Sequence, residues 1–244
     1  MIFQTVIGGY NSLDLVSWAT GTPAQLAAML DAHYKGRINI ANYWNIGDSR
    51  AVPLGAIAAN NCTDAMNAQA AQLVLMNAGG KTLVTAEHGK TTCAFVVGLK
   101  NSLSGTGKWG GGSSFDYSAS VVRPFLNNEF FLSLPSDLQA LFKAFVNTTT
   151  KSGGTENTED LFALPAAIEV FGAATSVPTT EGSQFDYYKT SANRIKTISG
   201  QADSYWLRTK GSGYGSAMYV TYGGYLNTSG SLDTKQGISP FGVI

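Results

Sequence analysis

Surplus charge of either sign is missing from this chain. Its 16 basic and 16 acidic side chains cancel over 244 residues, and only 13% of residues are charged. A nucleic-acid binder would carry a basic excess or stripe. A disordered chain would be rich in charge and poor in apolar residues. Neither description fits, so no nucleic-acid partner is expected. Histidine is nearly absent, with only His33 and His88. A serine or cysteine triad would need one of them, yet His33 ends an apolar helical stripe and His88 falls on a turn. Cys62 and Cys93 stand far apart and form no CxxC, which predicts two buried free thiols rather than a disulfide framework or a metal site. There is no HExxH, no GxSxG and no complete phosphate loop. Gly89-Lys90-Thr91 ends like one, but Val84 occupies the place of its first glycine. The acids Glu156, Glu159 and Asp160 fall in a polar stretch and are expected to be solvated. No run approaches the ~18 apolar residues of a membrane span. The first residues show no basic segment followed by an apolar one, so no signal peptide is expected. These absences predict a protein that is not an enzyme, with no cofactor, no bound metal and no membrane partner.

What is present is glycine, 28 residues, together with 11 tyrosines and 12 phenylalanines. That composition suggests many turns and strands. No repeat and no Pro- or Ser-rich linker divides the chain, so residues 1–244 read as one domain, with 1–14 as a tether or entering strand. Thr22-Pro23-Ala24-Gln25 is a helix start, and Leu26, Met29 and Leu30 follow at helical spacing up to Gly36. Ser136-Asp137-Leu138-Gln139 is a second start signal, and Leu138, Leu141, Phe142 and Phe145 predict a second long helix. Shorter helices are expected over 118–127 and 165–171. Strands are expected at Trp44–Ile46 with a return at Arg50–Leu54, at 70–76, at 82–85 and at 161–164. Asp48 and Arg50 are close enough for a local ion pair. His88-Gly89 fits a two-residue hairpin turn. Gly105–Gly110 satisfies GxGxxG without a helix behind it, which predicts a flexible surface loop. Thr148–Glu159 reads as a polar loop, and Phe185–Tyr188 as a strand or irregular segment. The sum is an α+β fold with mostly antiparallel strands, two main helices and long loops.

The end of the chain has its own character. Tyr205-Trp206-Leu207 and Phe241-Gly242-Val243-Ile244 are apolar and strand-like. Between them, residues 209–235 are mostly Gly, Ser, Thr and Tyr. Two readings fit. One is a set of hairpin turns with ordinary strand tyrosines, the commoner use of such residues. The other is a paratope, where stiff tyrosines give contact area and Gly and Ser give adaptable backbone.

Several segments carry a resemblance. They are Tyr43–Arg50, Val97–Leu103, Val122–Asn127, Asp160–Pro165 with Glu169, Tyr205–Thr209, and Gly237–Phe241. Together they resemble the DUF6273 family of bacteria, prophages and gut phages, from about Leu15 to Ile244. The resemblance implies a C-type-lectin-like fold related to the sulfatase-modifying-factor architecture. Its C-terminal strands and loops would display a ligand-binding surface, which in some relatives is diversified by retroelements. It implies ligand contacts from Tyr214, Ser216, Tyr219, Thr221, Tyr222, Tyr225, Asn227 and Asp233, on a scaffold of Val220, Gly224, Gly237, Ile238, Pro240 and Phe241. The implied function is a virion-associated binding protein of a phage or prophage, on a tail fibre or tail tip, that recognises a host-surface protein or glycan. The alternative is a structural virion protein that packs the same segment against other virion proteins or its own copies. No cysteine follows Cys93, unlike formylglycine-making enzymes of that broad fold. Pro240 lies between Ser239 and Phe241, outside any calcium motif of the sugar-binding lectins.

Overall fold

A computed structural model describes residues 13–110, 116–151 and 153–244. The tether expected over 1–14 lies outside them apart from its last two residues. The fold is mixed α+β and the sheets are almost wholly antiparallel. Ser49–Leu54, Gln69–Ala78, Phe95–Leu99, Phe241–Val243 and Phe162–Ala163 form one five-stranded sheet, in that order. A second sheet runs Leu226–Ser231, Ser216–Val220, Tyr205–Lys210, Lys235–Gly237 and Thr106–Lys108. Its one parallel pairing joins Tyr205 to Gly237. A third sheet runs Lys90–Thr92, Thr82–Glu87, Phe145–Lys151 and Gly154–Asp160, and Lys196–Ile198 pairs with Gln201–Asp203 alone. Among the described residues no helix is long and apolar enough to cross a membrane.

The helix Pro23–Tyr34 forms as its start signal predicts. Thr22 Oγ1 accepts from Gln25 N and Gln25 Oε1 accepts from Thr22 N, which closes the capping box. Leu26, Met29 and Leu30 are buried beneath it. His88 and Gly89, at φ of 49° and 83°, make the expected turn. Both cysteines are free and buried. Trp44 and Trp206 are in the core, 1% and 0% exposed.

Other expectations are corrected. The second long helix is one turn, Ser136–Gln139, and Phe145 instead opens a strand. Ser136 does not cap it; Pro135 holds that place. The helix expected over 118–127 runs from Val122 to Ser133 and widens to a π-helix over Leu126–Phe130. Trp44–Ile46 is not a strand but leads into the turn at Ile46 and Gly47, and the return strand pairs with Gln69–Ala78. Asp48 caps Asn45 N, while Arg50 donates to the carbonyls of Trp18 and Gly21, so the two do not pair. Phe185–Tyr188 opens a helical turn, Asp186–Lys189. The Gly-rich stretch is no surface loop where it is described: Thr106–Lys108 is a strand, and Gly107, Trp109 and Gly110 are buried. Thr148–Glu159 is not a loop but most of a β-hairpin. Its threonines suit strands, and its inner face is polar: Asn147, Thr149, Thr158 and Asp160 are all buried. Asp160 is therefore not solvated. It pairs with Arg123 at 2.6 Å and accepts from Thr158 and Asn147.

Two buried cations join the sheets. Arg208 grips both oxygens of Glu169, at 2.6 and 2.8 Å, and donates to the carbonyls of Leu164 and Glu181. Lys81 shares Glu169. Burial alone would raise the Glu169 carboxyl, but Arg208 and Lys81 outweigh it and hold it below the ordinary 4.5. Among the described residues Lys196 has no acid partner in reach. Its Nζ donates to the carbonyls of Leu99 and Lys100 and lies 5.6 Å from the rings of both Tyr188 and Tyr205.

Arg208→Met removes the two-pronged partner of a buried carboxylate and is expected to lower the free energy of unfolding by about 3–5 kcal/mol in urea titration. The second expectation concerns pH. Burial pulls Lys196 down to about 7, whereas the unfolded side chain titrates near 10.5. Between those values the unfolded chain binds more protons, so stability rises with pH. From pH 7 to pH 9 the natural protein should gain about 2 kcal/mol of stability relative to Lys196→Met. Parallel urea curves for the two proteins at both pH values would contradict this.

Candidate functional site

The second sheet is fixed on its inner side by tryptophan. Trp206 Nε1 donates to the carbonyl of Gly107 at 2.9 Å, and Trp109 Nε1 to that of Leu207 at 2.9 Å. The Trp206 ring meets Tyr219 edge-on, with centroids 5.9 Å apart. Gly230 lies against both rings. A Cβ there would sit 2.7 Å from Trp206 and 2.8 Å from Tyr219, so no larger residue fits without moving them. The register sets Trp206 opposite Tyr219, Tyr219 opposite Asn227, and Ser216 opposite Ser231.

Two hairpin turns close this sheet at opposite ends. Residues 211–215 join Tyr205–Lys210 to Ser216–Val220, and residues 221–225 join Ser216–Val220 to Leu226–Ser231. The five-residue strand between them spans roughly 16 Å. Each turn has a side-chain lock. Ser216 Oγ accepts from Gly213 N at 3.0 Å and donates to Gly213 O at 2.7 Å. Thr221 Oγ1 accepts from Tyr225 N at 3.2 Å, and Gly224 N donates to Thr221 O at 2.8 Å. Gly224 takes a φ of 79° and presses on Ile195, whose Cγ1 would be 3.0 Å from an added Cβ.

The eight residues singled out in the sequence therefore do not form one patch. Tyr214 is 87% exposed on the first turn. Asp233 is exposed at the same end, on the turn that follows Ser231. Tyr222 and Tyr225, 70% and 75% exposed, stand at the other end. Thr221 lies there too, half-buried and engaged in its lock. Tyr219 and Asn227 face one another between the ends and are half-buried. Asn227 Oδ1 accepts from Ser229 N at 3.0 Å. Ser216 is buried in its turn. Ile195, 43% exposed and packed against Gly224, belongs to this end and was not singled out. Nothing in its local sequence marks it, because only the packing of Gly224 brings it there.

Of the other concave features, a shallow hollow of about 480 Å³ lined by Val52, Pro53, Leu54 and Ala70 among others carries no charged side chain. A cleft of about 140 Å³ is lined by Asp31, Tyr34, Glu87, His88 and Lys143 among others. Its charges answer one another: Lys143 meets Glu87 at 2.8 Å and His88 meets Asp31 at 3.3 Å. Among the described residues no three or more His, Cys, Asp or Glu side chains converge as metal ligands would.

No curated protein and no solved structure matches the chain significantly. The family described as "Domain of unknown function (DUF6273)" matches residues 80–244, about two thirds of the chain, which takes in the whole second sheet and leaves the first helix outside. The chain belongs to the DUF6273 family.

Proposed function

We propose that this is a recognition protein whose second sheet presents the 221–225 turn to a partner. One observation carries the reading. The three most exposed large apolar or aromatic side chains among the described residues, Tyr214, Tyr225 and Tyr222, all stand on two turns of that sheet. An aromatic ring costs free energy when left in water, and tyrosine gains most from burial against a partner. The core side of the same sheet is closed by Trp206, so the turns rest on a rigid support.

The 221–225 end is the better recognition surface. It offers two tyrosines and Ile195 together, rimmed by the hydroxyl of Thr221 and the amide of Asn227. Tyr214 stands about 16 Å away and serves a second contact, to a distant part of the same partner or to a neighbouring subunit. In its finer form the proposal is a C-type-lectin-like domain, related to the sulfatase-modifying factors, carried on a phage or prophage particle. There it binds a host-surface protein or glycan. What supports the finer form is the resemblance of the segments that build this sheet, Tyr205–Thr209 and Gly237–Phe241.

The test separates the two ends. Tyr222→Ala and Tyr225→Ala are each expected to weaken binding to host cells or envelope extract by about 1–4 kcal/mol with the fold intact by circular dichroism. Tyr214→Ala should cost less. Tyr219 is left unchanged, because it packs on Trp206. Full binding by the Tyr222, Tyr225 double variant would refute the recognition reading. A stable oligomer that loses its assembly when Tyr222 and Tyr225 are removed would instead assign this surface to subunit packing.

A further inference from the structure

We propose that Lys81 and Asn147 become joined by an intramolecular isopeptide bond, formed by the protein itself with loss of ammonia. The inference does not depend on the recognition reading. It starts from an amine, a carboxamide and a carboxylate in contact inside the core. Lys81 is 6% exposed, and Asn147 and Glu169 are 0%. Lys81 Nζ lies 3.4 Å from Oδ1 of Asn147 and also contacts Oε1 of Glu169. The rings of Phe185 and Phe241 stand 5.8 and 5.3 Å from the same nitrogen.

The backbone holds this arrangement in place. Leu83 pairs with Phe145 in the third sheet. Two residues back on one strand and two forward on the other, Lys81 and Asn147 come opposite each other on the same side. Asn147 Nδ2 donates to Asp160 Oδ2 at 2.9 Å, which fixes the amide and turns its oxygen toward Lys81. The amide nitrogen, the group that must leave, is thus already held by a carboxylate.

The charge balance favours a nucleophilic amine. Arg208 already takes both oxygens of Glu169, so two cations share one buried carboxylate. Burial drives the Lys81 ammonium toward losing its proton, Glu169 opposes this and Arg208 adds to it, with a net downward shift. In water an amine and an amide do not react. Held in contact and shielded from solvent, they gain from proximity, and the bond once formed is protected from hydrolysis.

The step balances without a co-reactant. The Lys81 ammonium gives a proton to Glu169 only transiently, since Arg208 favours the ionised carboxylate, and the freed Nζ adds to Cγ of Asn147. Glu169 returns that proton to Nδ2 as the tetrahedral adduct collapses. The Cγ–Nδ2 bond breaks, and the remaining Nζ proton lost on forming the secondary amide leaves with the nitrogen. An ammonium becomes an amide N–H, and an ammonium ion departs with the original charge. The product ties the start of Thr82–Glu87 to the middle of Phe145–Lys151, behind the ion pair that anchors Arg208.

The intact mass of the denatured natural protein decides the matter. It should be about 17 Da below the sequence mass. A tryptic map should show no cleavage after Lys81 and one branched peptide that also contains Asn147. Lys81→Met, whose side chain fills the same apolar space, should have its full sequence mass. The natural protein at full mass, with Lys81 cut by trypsin, would overturn the proposal. So would the lower mass with Lys81 still cut, since the ammonia would then have left another site.

Discussion

One carboxylate, Glu169, is shared by two cations in the dry centre of the molecule. Such pairs are poor evidence of net stability, because removing charges from water costs about what their attraction returns. They are better at excluding alternatives, since any arrangement that separates them leaves a bare buried charge. Here the exclusion is wide. Arg208 stands on the central strand of the tyrosine-bearing sheet, Glu169 on the short helix Ala167–Phe171, and Lys81 just before the Thr82–Glu87 strand of the third sheet. Glu169 also closes the helix start by accepting from Ala166 N at 2.7 Å. A slip of the central strand by one residue would turn Arg208 to the opposite face. The network therefore sets the register of the sheet on which the hairpins are built.

That register is transmitted outward by aromatic packing. Trp206 stands two residues before Arg208, and a bulge lies between Trp206 and Lys210. A bulge re-aims side chains and sharpens the local twist. It lets the same short strand carry Trp206, Leu207, Arg208 and Thr209 all buried. Thr209 Oγ1 accepts from Ala167 N at 2.7 Å and donates to Glu181. Glu181 in turn accepts from Thr150 N at 2.7 Å. One strand is thus tied to a helix, a loop and the third sheet, and both of its faces are buried.

Sequence patterns showed the parts that rest on local chemistry. The capping box at Thr22, the His88-Gly89 turn and the apolar strands around Trp206 and Phe241 all follow from residues within a few positions. The patterns failed where a partner far along the chain decides the outcome. Leu138, Leu141, Phe142 and Phe145 have helical spacing, yet Phe145 packs against Phe241, ring centroids 5.3 Å apart, and starts a strand. The hairpin from Phe145 to Asp160 looks like a loop because its buried face is polar. Lys81, Arg123 and Glu181, all distant in sequence, give Asn147, Asp160 and Thr150 their partners from outside the hairpin. The candidate site was legible as a segment but not as a surface. Composition cannot tell that Tyr214 and Tyr222 leave the sheet at opposite ends.

This division separates residues that can vary from residues that cannot. Ser, Thr and Gly in a tyrosine-rich segment look equally adaptable, but their surroundings differ. Ser216 and Thr221 each hold a turn closed, Gly224 needs a positive φ against Ile195, and Gly230 leaves room for two rings. Changing any of them alters the support and moves every ring it carries. Tyr214, Tyr222 and Tyr225 touch little of the framework, so their replacement alters only what the surface meets. A sheet that recognises a partner can change its contacts only if those two sets of positions do not overlap. Here they alternate along the chain and yet stay apart in space, because the locks point into the turns and the rings point away from them.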